Sequence, residues 1–112
     1  MYDFKYQKVS SVADAAKAIG ADGEAKLVAG GMTLIPTLKQ RLAKPSSLVD
    51  LGGIAELKGI KRDGNAIVIG AMTKHIDVAN SPEVKSAIPA LAELASHIGD
   101  PAVRNRGTIG GS

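Results

Sequence analysis

The sequence predicts an α/β fold, α+β overall, built from two subdomains. Three observations predict it. Short apolar runs, Lys26-Leu27-Val28-Ala29 and Leu48-Val49-Asp50-Leu51, alternate with segments of helical period, the order of a parallel βαβ unit. Asp63-Gly64 then separates Gly59-Ile60-Lys61 from Ala66-Ile67-Val68-Ile69, a hairpin signal. Leu91, Leu94, Ala95 and Ile98 follow at i, i+3, i+4 and i+7, one apolar face of a helix. The change from parallel to antiparallel signals sets a boundary. Residues 1–55 form a βαβ-like subdomain, and residues 56–112 begin a second one, antiparallel in part.

In chain order, Phe4, Tyr6 and Val9 lead in as a short strand or extended arm. Ser11-Val12-Ala13-Asp14 resembles a capping box, and Val12, Ala16 and Ile19 then recur at helical spacing until Gly20 or Gly23 stops the helix. After the first strand and Gly30-Gly31, Thr33 is placed to cap a helix with Pro36 in its first turn, where a missing N–H is tolerated. Leu34, Leu38 and Leu42 mark its inner face, Lys39, Arg41 and Lys44 face water or a partner, and Pro45 ends it. Ile54 and Leu57 pack one helical turn. Thr73 is positioned to cap a helix that uses Ile76 and Ala79. Ser81-Pro82 is a second cap with proline at the first helical position. Pro89 opens the striped helix, Gly99 closes it, and Asp100-Pro101 turns the chain toward Arg104-Asn105-Arg106.

The chain has 112 residues, enough for a domain with a core of its own, and 22% of them are charged, as in ordinary globular proteins. Aromatics are scarce: Tyr2, Phe4 and Tyr6 are the whole set, so little surface exists for stacking a base or a flavin ring. The formal charge of +3 comes without a dense basic run, which argues against a nucleic-acid footprint. The absence of cysteine excludes disulfides, thiolate catalysis and iron–sulfur ligation within this chain. No apolar run is long enough for a transmembrane span, and the first ten residues lack a signal-peptide apolar region, so a cytoplasmic location is expected, with any membrane association made through a partner.

Two glycine clusters organise the chain. Ala29-Gly30-Gly31-Met32-Thr33-Leu34 joins a strand to a helix, and Gly107-Thr108-Ile109-Gly110-Gly111-Ser112 is the last stretch. Glycine permits positive φ and lets a ligand approach the backbone, and backbone N–H groups at such a loop suit phosphate. Two clusters in one small domain fit one extended, phosphate-bearing ligand held from two sides; two tight turns are the plain alternative. Neither matches the Rossmann or P-loop pattern: Gly30-Gly31 lacks G-x-G-x-x-G, and Gly59 with Gly64 has P-loop spacing but is followed by Asn65-Ala66. Arg104 and Arg106 beside the second cluster form either a phosphate clamp or a solvated pair. His75 and His97 have no metal-ligand spacing, Asp50 is best placed for a structural hydrogen bond, and no nucleophile–base pattern is present. The composition fits a division of labour in which a redox cofactor supplies the chemistry and the protein supplies position.

Taken together, Ala29-Gly30-Gly31-Met32-Thr33-Leu34-Ile35-Pro36, Arg41-Leu42-Ala43-Lys44-Pro45, Ile69-Gly70-Ala71-Met72-Thr73 and the stretch from His97-Ile98-Gly99-Asp100-Pro101 through Arg104-Asn105-Arg106-Gly107-Thr108-Ile109-Gly110-Gly111-Ser112 resemble the FAD-binding (medium) subunit of the molybdenum hydroxylases, in particular its carbon monoxide dehydrogenase branch. The likeness spans nearly the whole chain. It implies a two-subdomain FAD-binding fold of the molybdopterin dehydrogenase and vanillyl-alcohol oxidase (PCMH) type. It implies that Ala29, Gly30, Gly31, Met32, Thr33 and Leu34 line the FAD diphosphate, with Gly107, Thr108, Gly110, Gly111 and Ser112 on the other side. Thr33 replaces a frequent serine and keeps its hydroxyl; Ser112 stands where many members have asparagine. Family members are much longer, so the resemblance makes this chain an N-terminal fragment, lacking further flavin contacts and a C-terminal domain.

The same resemblance implies partners: a molybdopterin-binding large subunit, an iron–sulfur small subunit and the remaining part of the medium subunit. Electrons would run from the molybdenum site through iron–sulfur clusters to FAD and on to an external acceptor, with no catalytic residue and no metal in this chain. Two other readings stay open: a flavoenzyme of related fold that oxidises its substrate directly, and a non-enzymatic nucleotide-binding or assembly module.

Overall fold

The structure, a computed structural model, describes residues 2–32 and 34–111. They fall into two units, Met1–Ala55 and Glu56–Ser112, each with its own core.

In the first unit, β1 (Lys5–Lys8), β2 (Lys26–Val28) and β3 (Ser47–Asp50) form a parallel sheet in the order β1-β3-β2. Tyr6 and Lys26 both stand opposite Leu48, and Gln7 and Leu27 opposite Val49. The central strand is the most buried, and its Leu48 and Val49 are almost wholly shielded, as a strand covered on both faces requires. Leu48 and Val28 pack with Leu38 of α2 (Leu34–Lys39), and Phe4, Leu34, Ile35 and Ala43 close around them.

Helix α1 (Val12–Ala21) starts where expected: the Ser11 hydroxyl accepts from the Asp14 N–H at 3.1 Å. Its buried face differs from the expected one. Ala15 is buried with Ala18 and Ile19 partly so, while Val12 and Ala16 are exposed, because the helix rests on the sheet through its small side chains. Gly20 lies within the helix, and the chain leaves it two residues later, at Asp22, whose N–H closes on the Ile19 carbonyl. The Asp22 carboxylate then accepts from the Ser46 hydroxyl at 2.5 Å and the Glu24 N–H at 3.0 Å, tying the end of α1 to the start of β3.

Helix α2 ends at Lys39, well before Pro45. Gln40 N–H still bonds the Pro36 carbonyl, but Arg41 N–H reaches Leu38 O at 3.0 Å and Leu42 N–H reaches Thr37 O at 3.1 Å, with Arg41 at φ +57. This pair of bonds is a Schellman closure with arginine where glycine is usual. Leu42 is therefore outside the helix and 74% exposed, not on its inner face.

In the second unit, β4 (Ile60–Asp63) and β5 (Ala66–Ile69) pair antiparallel, Asp63 opposite Ala66. The turn residues are thus Gly64-Asn65, one place later than Asp63-Gly64, and positive φ at Gly64 alone gives a type II′ geometry. Short helices follow: α3 (His75–Asn80), α4 (Pro82–Ala87), α5 (Pro89–Ser96) and α6 (Pro101–Arg106). Val78, Ala79, Val84, Ala92 and Ala95 make the core, against Ile60, Ile67 and Ile69 of the hairpin, Leu91 and Ile109. The stripe on α5 is shifted: Ala92 and Ala95 face inward and Leu94 is 63% exposed, since α3 approaches closely enough to favour alanine at the contact. Ser81 caps α4 through the Val84 N–H, with Pro82 at the first position, as expected. Ile54 and Leu57 do not share one helical turn: Ile54 caps the single turn Leu51–Gly53, and Leu57 ends a separate one, Ala55–Leu57.

Thr73 is not a helix cap. Lys74 holds that position without a side-chain bond, and the buried Thr73 hydroxyl instead bonds both the N–H and the carbonyl of Gly59 at 3.1 Å. Replacing Thr73 with Val, which keeps the shape and removes both bonds, is expected to destabilise the protein by about 1–2 kcal/mol in urea denaturation. In the first unit, the Ser46 hydrogen bond and then the Glu24 N–H hold the Asp22 carboxyl below its ordinary value against desolvation, with a lesser contribution from the charge of Lys5. A depressed carboxyl contributes stability above its unfolded pKa and loses it as pH falls through the folded value. Ser46→Ala is expected to return the Asp22 titration, followed by carboxyl-carbon NMR, toward the ordinary value and to flatten this acid-side pH dependence.

Candidate functional site

The first glycine loop leaves β2 at Val28 and enters α2 at Leu34. Gly31 has φ +75, and its carbonyl accepts from the Ile35 N–H at 2.9 Å, which starts the helix. A Cβ at Gly31 would meet Ile35 Cγ1 at 2.9 Å, so conformation and space both favour glycine. The N–H groups of Gly30, Gly31 and Met32 make no backbone hydrogen bond among the described residues. All three residues are partly exposed, as are Ala29 and Leu34. The loop is thus a short run of uncommitted amide donors next to the first turn of a helix. Thr33, expected to offer a hydroxyl there, lies outside the described residues.

The second loop is built differently. Ile109 N–H bonds Thr73 O at 2.9 Å, Gly110 N–H bonds Ala71 O at 2.8 Å, and Thr108 pairs with Lys74 in an antiparallel bridge. Gly107 N–H closes on Val103 O, Gly111 N–H on Thr108 O, and the Gly107 carbonyl accepts from His75 N–H at 3.1 Å. Ile109 packs on the core of the second unit. A Cβ on Gly110 would lie 2.6 Å from the Ala71 Cβ and 2.8 Å from its carbonyl oxygen. Close packing therefore accounts for glycine at this position. Thr108 is buried, Gly110 and Gly111 are exposed, and Ser112 lies outside the described residues.

The side chains singled out beside this loop have local roles. Arg104 and Arg106 sit on α6, a helix that sequence reasoning took for a turn; the signal was Asp100-Pro101, which repeats the cap-plus-proline pattern of Ser81-Pro82. Asp100 accepts from Val103 N–H at 2.9 Å, and Arg104 donates to the Gly99 carbonyl at 2.8 Å, fastening the turn between α5 and α6. Asn105 donates to the Pro101 carbonyl. His75 is buried with its ring beside Gly107, and His97 is exposed at the end of α5. In the first unit, Asp50 accepts from the Gly52 N–H at 2.8 Å and from the Tyr6 hydroxyl, the structural role expected of it. That hydrogen bond, with lesser effects of desolvation and the Asp50 charge, raises the Tyr6 hydroxyl above its ordinary pKa. No local signal in the sequence marks the 71–75 segment as the seat of the second loop.

Comparison with known proteins places this geometry. Residues 2–112 match the family model described as the FAD binding domain in molybdopterin dehydrogenase. The chain belongs to that family, and its cofactor is FAD. It is 50% identical over 109 residues to the carbon monoxide dehydrogenase medium chain of Hydrogenophaga pseudoflava, covering 96% of this chain and 38% of that one. It is 38% identical to the nicotine 6-hydroxylase medium subunit of Paenarthrobacter nicotinovorans, again over 96% of this chain and 38% of the relative. Among solved structures, carbon monoxide dehydrogenase from Hydrogenophaga pseudoflava, in a form lacking the Mo-pyranopterin moiety, superposes with a TM-score of 0.96 at 48% identity, over 98% of this chain and 39% of that one. Quinoline 2-oxidoreductase from Pseudomonas putida 86 superposes with a TM-score of 0.95 at 37% identity, over 99% and 39%. The fold is thus the α+β FAD-binding fold of this family. The chain spans about two fifths of the length of the relatives it matches. Among the described residues no helix is long and apolar enough to cross a membrane.

The contrast between the loops is testable. Gly110→Ala is expected to cost about 1–3 kcal/mol by overpacking against Ala71, and to speed hydrogen exchange at the Ile109 and Gly110 amides. Unchanged exchange at those two amides would show that the loop is not seated as described.

Proposed function

We propose that this chain is the N-terminal part of the FAD-carrying subunit of a multi-subunit molybdenum-containing dehydrogenase of the carbon monoxide dehydrogenase type. In such an assembly it holds FAD between an iron–sulfur small subunit, fed by a molybdopterin-binding large subunit, and an external electron acceptor. The observation that carries the reading is the uncommitted set of amides at Gly30, Gly31 and Met32, found in the loop by which the chain resembles its family. Neutral N–H donors on a glycine backbone fit a diphosphate: they approach closely, add no titrating group and are already oriented. Thr33 would add a hydroxyl, and Ala29 and Leu34 would flank the loop.

The second loop supports the same ligand in another way. Because the N–H groups of Gly107, Ile109, Gly110 and Gly111 are committed internally, Gly107, Thr108, Gly110, Gly111 and Ser112 would contribute shape, carbonyls and hydroxyls, held by the seat at Ala71 and Thr73. FAD, when bound, supplies the redox chemistry, and this chain supplies position; no residue of the chain is assigned a proton-transfer or nucleophilic role. The subunits are expected to work in the cytoplasm.

Gly31→Val in the full-length subunit adds branched bulk at φ +75 and is expected to lower the flavin content of the purified protein, read from its visible absorbance. Residues 1–112 alone are expected to bind FAD weakly, since Tyr2, Phe4 and Tyr6 are the only aromatics and ordering glycine-rich loops opposes binding. Calorimetry showing stoichiometric binding at about 1 μM would reverse that expectation; full flavin occupancy in Gly31→Val would remove the diphosphate from this loop.

A further inference from the structure

The corner after α2 is built at the expense of local preference. Arg41 adopts φ +57 at the Schellman position, a conformation disfavoured for any residue with a Cβ. Backbone strain of this kind is concentrated at functional positions. The residue after such a closure commonly packs back on its helix; Leu42 instead stands 74% exposed, more than any other large apolar side chain among the described residues. The Arg41 guanidinium lies 5.3 Å from the centroid of the Tyr2 ring and the Lys44 ammonium 5.4 Å from the same centroid. Two cations share one ring, each attracted to it and repelled by the other. Among the described residues neither has a carboxylate partner. An outward leucine between two unneutralised cations has the make-up of an interface anchor with a charged rim.

We propose that Arg41, Leu42 and Lys44, braced by Tyr2, form a docking surface for a companion subunit of the assembly, one that presents an apolar pocket rimmed by aspartate or glutamate. The occupant follows from complementarity: Leu42 fills the pocket, and carboxylates neutralise Arg41 and Lys44. The inference rests on the multi-subunit reading given above and concerns a surface apart from the glycine loops.

The test uses the assembled complex containing the full-length subunit. Zero-length carbodiimide coupling, which joins an amine to a carboxylate, is expected to link Lys44 to an acidic residue of a companion subunit, identified by mass spectrometry. Arg41→Gly places glycine where the backbone favours it, so the fold is retained while the cation is removed. Combined with Leu42→Ser, it is expected to weaken subunit association at least tenfold, less so at raised salt, which screens the charge that the variant removes, with flavin content per subunit unchanged; Lys17→Gln on α1 leaves association unaltered. Unchanged association in the double variant together with no Lys44 linkage overturns the docking surface. So does a Leu42-dependent pairing of two copies of this chain, or Leu42-dependent binding to phosphatidylserine vesicles, with subunit binding intact. A wild-type complex that assembles without flavin instead contradicts the cofactor-holding role, and the Lys44 linkage is judged separately; a flavin-bearing subunit that assembles with nothing overturns both the multi-subunit reading and this surface.

Discussion

Every backbone N–H removed from water needs an acceptor, and this requirement separates the two glycine loops. The N–H groups of Gly107, Ile109, Gly110 and Gly111 turn inward, to Val103, Thr73, Ala71 and Thr108, and the loop becomes part of the packing of its unit. At residues 30–32 the N–H groups have no such acceptor and remain at the surface. Similar glycine-rich sequence thus produces a seated loop in one case and a donor-bearing loop in the other. What decides is the neighbouring chain: the 71–75 segment offers carbonyls at the right distance, and nothing in the first unit does the same for Gly30–Met32 among the described residues.

The rest of the first unit positions that donor-bearing loop. The buried strand β3 carries Leu48 and Val49, and its last residue, Asp50, holds Tyr6 from β1 and caps the turn at Gly52. Val28, the residue at which β2 gives way to the glycines, is packed against Leu38 and Leu48. The backbone entering the loop is therefore fixed, while the loop itself stays accessible. That combination suits a binding role, in which a rigid base presents groups that need not reorganise when the ligand arrives.

Much of this was legible in the sequence because the decisive signals are local. The parallel order of β2 and β3, the caps at Ser11 and Ser81 and the hairpin after Ile60 each depend on a few adjacent residues. The errors came where tertiary contacts choose between local options. Leu42 and Leu94 fall in helical register but face outward, one because α2 closes early at Arg41, the other because the neighbouring helix selects alanine. Thr73 carries a capping residue's chemistry but meets Gly59 first. The glycines at 107–111 announced a loop without revealing whether its amides would be used, since that depends on Ala71 and Thr73, far earlier in the sequence.

The bridge between Lys74 and Thr108, with the Gly110 bond to Ala71, also sets an order of assembly. Among the described residues the first unit has all of its strands within its first fifty residues, and no later segment joins its sheet. The second unit joins an early stretch to a late one and has to close a long loop before that contact forms, which is the slower kind of step. During synthesis from the N-terminus, the donor-bearing loop is in place first, and the seat at Ala71 stays open until Gly110 arrives. The second glycine loop is thereby completed only after the first has folded, a timing written into the topology.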